Sequence, residues 1–143
     1  MLDRLLAGAL ALLCLLPLGC GGSSPSPESV VRAWSESLNA GDDESAGELF
    51  APGAEVIQLG RTTTLAGPAE AVAFTRSLPC SGRILSLESK GETVTTVFRL
   101  EDRETSPCDG PGQEVTAVFK VREGKIVQLH QLPSPQAPPG EPV

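Results

Sequence analysis

Two stretches of alternating apolar and polar residues, each broken by a turn that contains glycine, constrain the fold of this chain most. Ile84 to Ser89 turns at Lys90-Gly91 into Glu92 to Leu100, and Glu114 to Arg122 turns at Glu123-Gly124 into Lys125 to Leu132. Two-residue glycine turns between such runs specify β-hairpins. A shorter strand, Glu55 to Leu59, turns at Gly60-Arg61 into Thr62 to Leu65. Helical spacing comes earlier. Ser26-Pro27-Glu28 supplies a capping hydroxyl, a proline whose missing N–H costs nothing there, and an acid in the first turn. Val30, Val31, Trp34 and Leu38 then share one face, and Asn39-Ala40-Gly41 ends the helix. Asp42-Asp43-Glu44 opens a second short helix carrying Leu49 and Phe50, stopped by Pro52-Gly53. Gly67-Pro68 opens a third, with Val72, Ala73 and Leu78 inward and Pro79 at its end. Helices ahead of a run of antiparallel strands predict an α+β fold, its helices lying across one face of a curved antiparallel sheet.

The first segment is not part of that domain. Leu5 to Leu18 is apolar, follows a short charged start, and ends in Gly19-Cys20-Gly21-Gly22-Ser23-Ser24. The run is too short for a permanent span, which needs ~20 apolar residues. A small residue followed by cysteine resembles a bacterial lipoprotein signal; an ordinary secretory signal is the alternative reading. The lipoprotein reading divides the chain into a signal peptide (1–19), a lipidated Cys20 with a flexible tether (20–27), one domain (28–132) and a Pro-rich, disordered tail (133–143). It places the protein in the bacterial cell envelope, held to a membrane by acyl chains on Cys20.

The net charge is −7, and lysine and arginine are not clustered, which excludes nucleic acid as a partner. Of the four cysteines, Cys14 leaves with the signal and Cys20 is the anchor. Cys80 and Cys108 remain in an exported chain and are expected to form a disulfide, worth roughly 3–4 kcal/mol on the chain-entropy model. No cysteine, histidine or carboxylate pattern suggests a metal, and no motif calls for a cofactor.

The stretch Val31-Arg32-Ala33-Trp34-Ser35-Glu36-Ser37-Leu38-Asn39-Ala40-Gly41-Asp42, then Leu49-Phe50-Ala51-Pro52, resembles the opening helices of the nuclear transport factor 2-like superfamily, particularly its SnoaL-like members. The likeness continues through Leu65-Ala66-Gly67-Pro68-Ala69-Glu70-Ala71 and ends in Val118-Phe119-Lys120-Val121-Arg122-Glu123-Gly124-Lys125-Ile126. The resemblance implies a cone-shaped, cystatin-like α+β fold that encloses a pocket, often in a homodimer. Members include isomerases, cyclases, hydrolases and non-enzymatic binding modules, so fold alone does not give function.

The hairpin turns assign faces. With Glu123-Gly124 as the turn, Val115, Ala117, Phe119 and Val121 share the inner face with Ile126, Gln128, His130 and Leu132. With Lys90-Gly91 as the turn, Leu85, Leu87, Val94, Thr96, Phe98 and Leu100 face inward too. The expected ligand contacts are therefore Gln128, His130, Trp34, Phe98, Phe119 and Thr96. His130, the only histidine, is the one candidate catalytic base. No inward acid stands beside it to orient it. The chain has no tyrosine, so the phenol that ketosteroid-isomerase-like members use has no counterpart. These readings favour a membrane-anchored, non-catalytic module binding a small apolar ligand. The alternatives are a SnoaL-like isomerase, cyclase or hydrolase using His130 as base, and an interaction lipoprotein with a filled core and an outward pair, Val118 and Leu129.

Overall fold

The structure is a computed structural model that describes residues 23–133. The signal segment, Cys20 and the tail from 134 onward lie outside the described residues. Helices α1 (Pro27–Asn39) and α2 (Asp43–Glu48) precede strands β1 (Phe50–Gln58) and β2 (Arg61–Leu65). Helix α3 (Pro68–Ser77) and strands β3 (Cys80–Lys90), β4 (Thr93–Asp102), β5 (Glu114–Arg122) and β6 (Lys125–Gln131) follow. The six strands form one sheet in the order β2-β1-β6-β5-β4-β3. The α+β class is as the sequence implies, but the sheet is mixed, because β1 pairs in parallel with β6.

The helix signals act as expected. Ser26 caps α1 by accepting from the Ser29 amide at 3.2 Å. Asp42 caps α2 by accepting from the Ser45 amide at 3.0 Å. Hydrogen bonds from Ser45, side chain and backbone, hold the Asp42 carboxyl below the usual carboxylate range. Helix α2 ends earlier than expected, and Phe50 already belongs to β1. The Pro52-Gly53 pair that read as a helix stop lies in an irregular stretch of β1, between the Phe50 and Glu55 pairings with β6. In α3 the buried residues are Ala71 and Thr75, while Ala73 is exposed. Helices α2 and α3 approach closely at Gly47, where an added Cβ would lie 2.7 Å from Val72 Cγ2.

Turn chemistry and two bulges set the faces of the sheet. The β5–β6 turn is Glu123-Gly124, as read, with Arg122 opposite Lys125. The β3–β4 turn is Gly91-Glu92 rather than Lys90-Gly91, since Lys90 pairs with Thr93. Gly91 has φ +60°, the conformation that a turn with glycine in its first central position requires. The β1–β2 turn is Leu59-Gly60, not Gly60-Arg61, because Gln58 pairs with Arg61. In β3, Ile84 faces Phe98 while Ser86 faces Val97, so Leu85 is an extra residue, pushed outward and 39% exposed. In β6, Val121 faces Ile126 but Lys120 faces Gln128, so Val127 is extra and every later side chain changes face.

The core lies between α1 and the inner face of the sheet. Val30, Val31, Trp34 and Leu38 of α1 pack on Val94, Phe98, Ala117, Phe119, Val121, Ile126 and Leu129. Trp34 meets Phe119 edge-on at 5.4 Å and Phe98 at 6.2 Å between ring centroids. The third expectation, an outward Leu129, fails for the same reason as the β6 register: Leu129 is inward and 4% exposed, whereas Val118 stays on the outer face.

Candidate functional site

Polar side chains fasten the end of α1 to the edge strand. The Asn39 side-chain amide donates to the Gly82 carbonyl at 2.9 Å and its oxygen accepts from the Gly82 amide at 3.0 Å, as a neighbouring strand would. The Ser35 hydroxyl adds a bond to the same carbonyl at 3.3 Å. Gly82 also leaves room for the Phe98 ring of β4, since a Cβ there would lie 3.1 Å from Phe98 Cδ1. Beside this attachment, between α1 and the inner face of the sheet, lies a cavity of about 320 Å³ lined in part by Ser35 and Gly82.

Helices and sheet both contribute walls. Helix α1 gives Trp34, Ser35 and Leu38; the end of α3 gives Leu78 and Pro79; and the sheet gives Phe98, Leu100, Val115, Ala117 and Leu129. Polar groups sit among them. Gln58 and Gln131, at the ends of β1 and β6, are joined by a bond from Gln58 Nε2 to Gln131 Oε1 at 2.9 Å. This leaves the Gln58 oxygen and the Gln131 amide group for other partners. Ser81 is occupied, donating to the Asp102 carbonyl at 2.7 Å. Leu59 overhangs the mouth; it is 97% exposed and held at φ +51°, a conformation costly for a non-glycine residue.

The disulfide forms as expected, with Cys80 and Cys108 bonded and both buried. Cys80 and the neighbouring Asp109 reach the cavity wall. Asp109 Oδ1 lies 3.3 Å from Cys80 Sγ, a contact and not a hydrogen bond, because a disulfide sulfur carries no proton. Cys80, Cys108 and Asp109 also cluster closely enough to hold a metal ion, but two sulfurs joined to each other offer no thiolate.

The residues expected to contact a ligand divide into three groups. Trp34 and Phe98 line the cavity. Phe119 and Thr96 are fully buried in the core and do not reach it. Gln128 and His130 do not reach it either. The Val127 bulge turns them to the outer face, where Gln128 donates to Glu55 Oε2 at 3.1 Å and His130 lies between Ile57 and Val118. A base at His130 therefore has no access to the cavity. Gln58, Leu59, Gln131, Asp109 and the inward Leu129 are among the cavity residues that sequence reasoning missed.

The Thr96 hydroxyl is buried with no hydrogen-bond partner among the described residues. An unpaired buried hydroxyl costs about 1–3 kcal/mol of desolvation. Thr96→Val removes it at nearly constant shape and is expected to raise stability by about 1 kcal/mol in urea denaturation; equal or lower stability would show that the hydroxyl has a partner.

Comparison with known proteins agrees with this architecture. An NTF2-like protein of unknown function from Cytophaga hutchinsonii superposes with TM-score 0.64 at 11% identity, covering 77% of this chain and 91% of that one. A candidate ketosteroid isomerase from Kribbella flavida gives TM-score 0.61 at 16% identity, over 82% and 85% of the two chains. A candidate polyketide cyclase from Sinorhizobium meliloti gives 0.57 at 20% identity, over 73% and 94%. At such identities the likeness establishes a shared fold. No curated protein sequence matches the chain. The profile of the SnoaL-like domain matches residues 31–129, from the first turns of α1 to the inward leucine of β6. The chain belongs to the SnoaL-like domain family.

Proposed function

We propose that this domain is a membrane-anchored binding module that holds a small, largely apolar ligand without transforming it. The observation that carries the reading is the chemistry of the cavity wall. It is mostly apolar and aromatic, and Asp109 is its single ionisable side chain, with no second acid, base or histidine beside it. Proton-transfer chemistry needs a positioned acid or base with an orienting partner, whereas binding needs only apolar walls and a few polar contacts. The exposed, strained Leu59 supports the same reading, because an apolar side chain kept at such cost over a cavity mouth is suited to covering an apolar guest.

The anchor at Cys20 agrees with where the chain enters the domain. Pro25 packs against the β5–β6 turn, where a Cβ on Gly124 would lie 3.0 Å from Pro25 Cδ. The cavity is at the other end of β5, by Val115 and Ala117. A strand of this length spans roughly 25 Å. A short tether from Cys20 would hold the turn end toward the membrane and leave the mouth facing the aqueous side.

Trp34 is the only tryptophan, so its emission reports on the cavity directly. Neutral, apolar N-phenylnaphthylamine is expected to bind and to quench Trp34 by energy transfer. Leu59→Asn, which relieves the backbone strain, is expected to leave the fold as stable or more so and to weaken binding severalfold; His130→Ala is expected to change neither. Absence of quenching, or its loss in His130→Ala alone, would overturn the reading.

A further inference from the structure

Resting on that reading, we infer that the ligand carries a positively charged group, an amine or quaternary ammonium on an apolar body, with its charge at Asp109. Four observations lead there. Asp109 is the only charged residue lining the cavity. Among the described residues its carboxylate has no hydrogen-bond donor and no cationic partner, only the contact with the Cys80 sulfur. No lysine, arginine or histidine lines the cavity to receive an anion; Arg61, opposite Gln58 in the β1–β2 ladder, lines an adjoining depression that shares Gln58 and Leu59 with the cavity. The walls that would take the body of the guest include Trp34 and Phe98, and a cation set over the face of either ring is attracted by it.

The surroundings act in the same direction. The chain carries a net charge of −7, so the potential at an apolar cleft lined by one carboxylate attracts cations and repels anions. The loop that bears Asp109 is held in place by the Cys80–Cys108 bond next to it and by a bond from the Cys108 amide to Asp102 Oδ1 at 2.8 Å. The carboxylate is thus carried on a fixed rim. Gln58 and Gln131 provide a neutral polar contact elsewhere in the wall, suited to an ether, hydroxyl or carbonyl on the same guest.

The test is displacement of N-phenylnaphthylamine by three compounds that share one ring: protonated benzylamine, benzyl alcohol and benzoate. The expected order is amine, then alcohol, then benzoate, with a preference for the amine over the alcohol of about five- to tenfold at low salt, shrinking as salt rises. Asp109→Asn is expected to erase that preference while leaving the alcohol unchanged, and Asp109→Lys to favour benzoate. Asp109 is exposed, so both variants should fold, which the Trp34 emission spectrum of the free protein checks. Equal binding of the three compounds, tighter binding of benzoate, or failure of all three to displace the bound probe would overturn the cationic ligand and leave the apolar site standing. Failure of N-phenylnaphthylamine itself to bind would remove the site, and this inference with it.

Discussion

Arg103→Ala is expected to cost about 3–5 kcal/mol of stability, the range for stripping one partner from a buried ion pair. The Arg103 side chain is 2% exposed, and that of its partner Asp43 is 15% exposed. Arg103 Nη2 donates to Asp43 Oδ1, in the first turn of α2. Nη1 donates to the carbonyls of Thr75 at 3.0 Å and Leu78 at 2.9 Å, at the end of α3. One guanidinium thus bonds carbonyls at the C-terminus of α3, where the helix dipole favours a cation, and pairs with a carboxylate in the first turn of α2, where the dipole favours the anion. Removing it strips a donor from the Leu78 carbonyl and from Asp43 Oδ1, while the Thr75 carbonyl keeps the Leu78 amide. Arg103→Lys keeps the charge but not the planar fork, so it is expected to cost less than alanine and still more than an exposed substitution. Urea denaturation measures both; a loss below about 1 kcal/mol for alanine would mean that water replaces the side chain.

Removal of the disulfide has the next largest expected effect. The Cys80–Cys108 bond closes a loop with a sequence separation of 28 residues. The chain-entropy relation gives about 3–4 kcal/mol for a loop of that size, and a urea midpoint shift of ~2 M at ordinary m-values. The bond joins the first residue of β3 to the β4–β5 loop, next to the loop's other fastening at Arg103. The Cys80→Ser, Cys108→Ser double variant is therefore expected to lose stability and also to weaken probe binding, because Cys80 and Asp109 form part of the cavity wall. Losses from this variant and from Arg103→Ala should not add, since both act on one loop. Simple additivity would contradict a shared role.

Helix caps, strand order along the chain and the Glu123-Gly124 turn were legible in the sequence because each rests on local chemistry. The cavity lining was not, because it depends on two bulges. Alternation counted back from Glu123-Gly124 puts Gln128 and His130 inward, whereas the Val127 bulge puts Leu129 and Gln131 there. The sequence does carry a trace of each bulge. Ile126-Val127 and Ile84-Leu85 are adjacent aliphatic pairs in strands that otherwise alternate. A pair of that kind breaks the alternation, and in both strands the break coincides with an extra residue in the ladder. The parallel pairing of β1 with β6 left no comparable trace, because it joins residues about seventy apart through contacts that only the assembled sheet supplies. Asp109 was passed over for a related reason. It lies in a loop that long-range fastenings, the disulfide and Arg103 among them, bring to the cavity rim.

The central claim is that the guest binds on the inner side of the sheet, against α1, and not on the outer face that holds the only histidine. Backbone amide shifts measured during titration with N-phenylnaphthylamine test it most directly. The account expects changes concentrated at Gly82, Ala117, Leu129 and Gln131, and at the Trp34 indole N–H, with Val118, Gln128 and His130 far less affected. Changes centred on Val118, Gln128 and His130, or none at saturating probe, would contradict it.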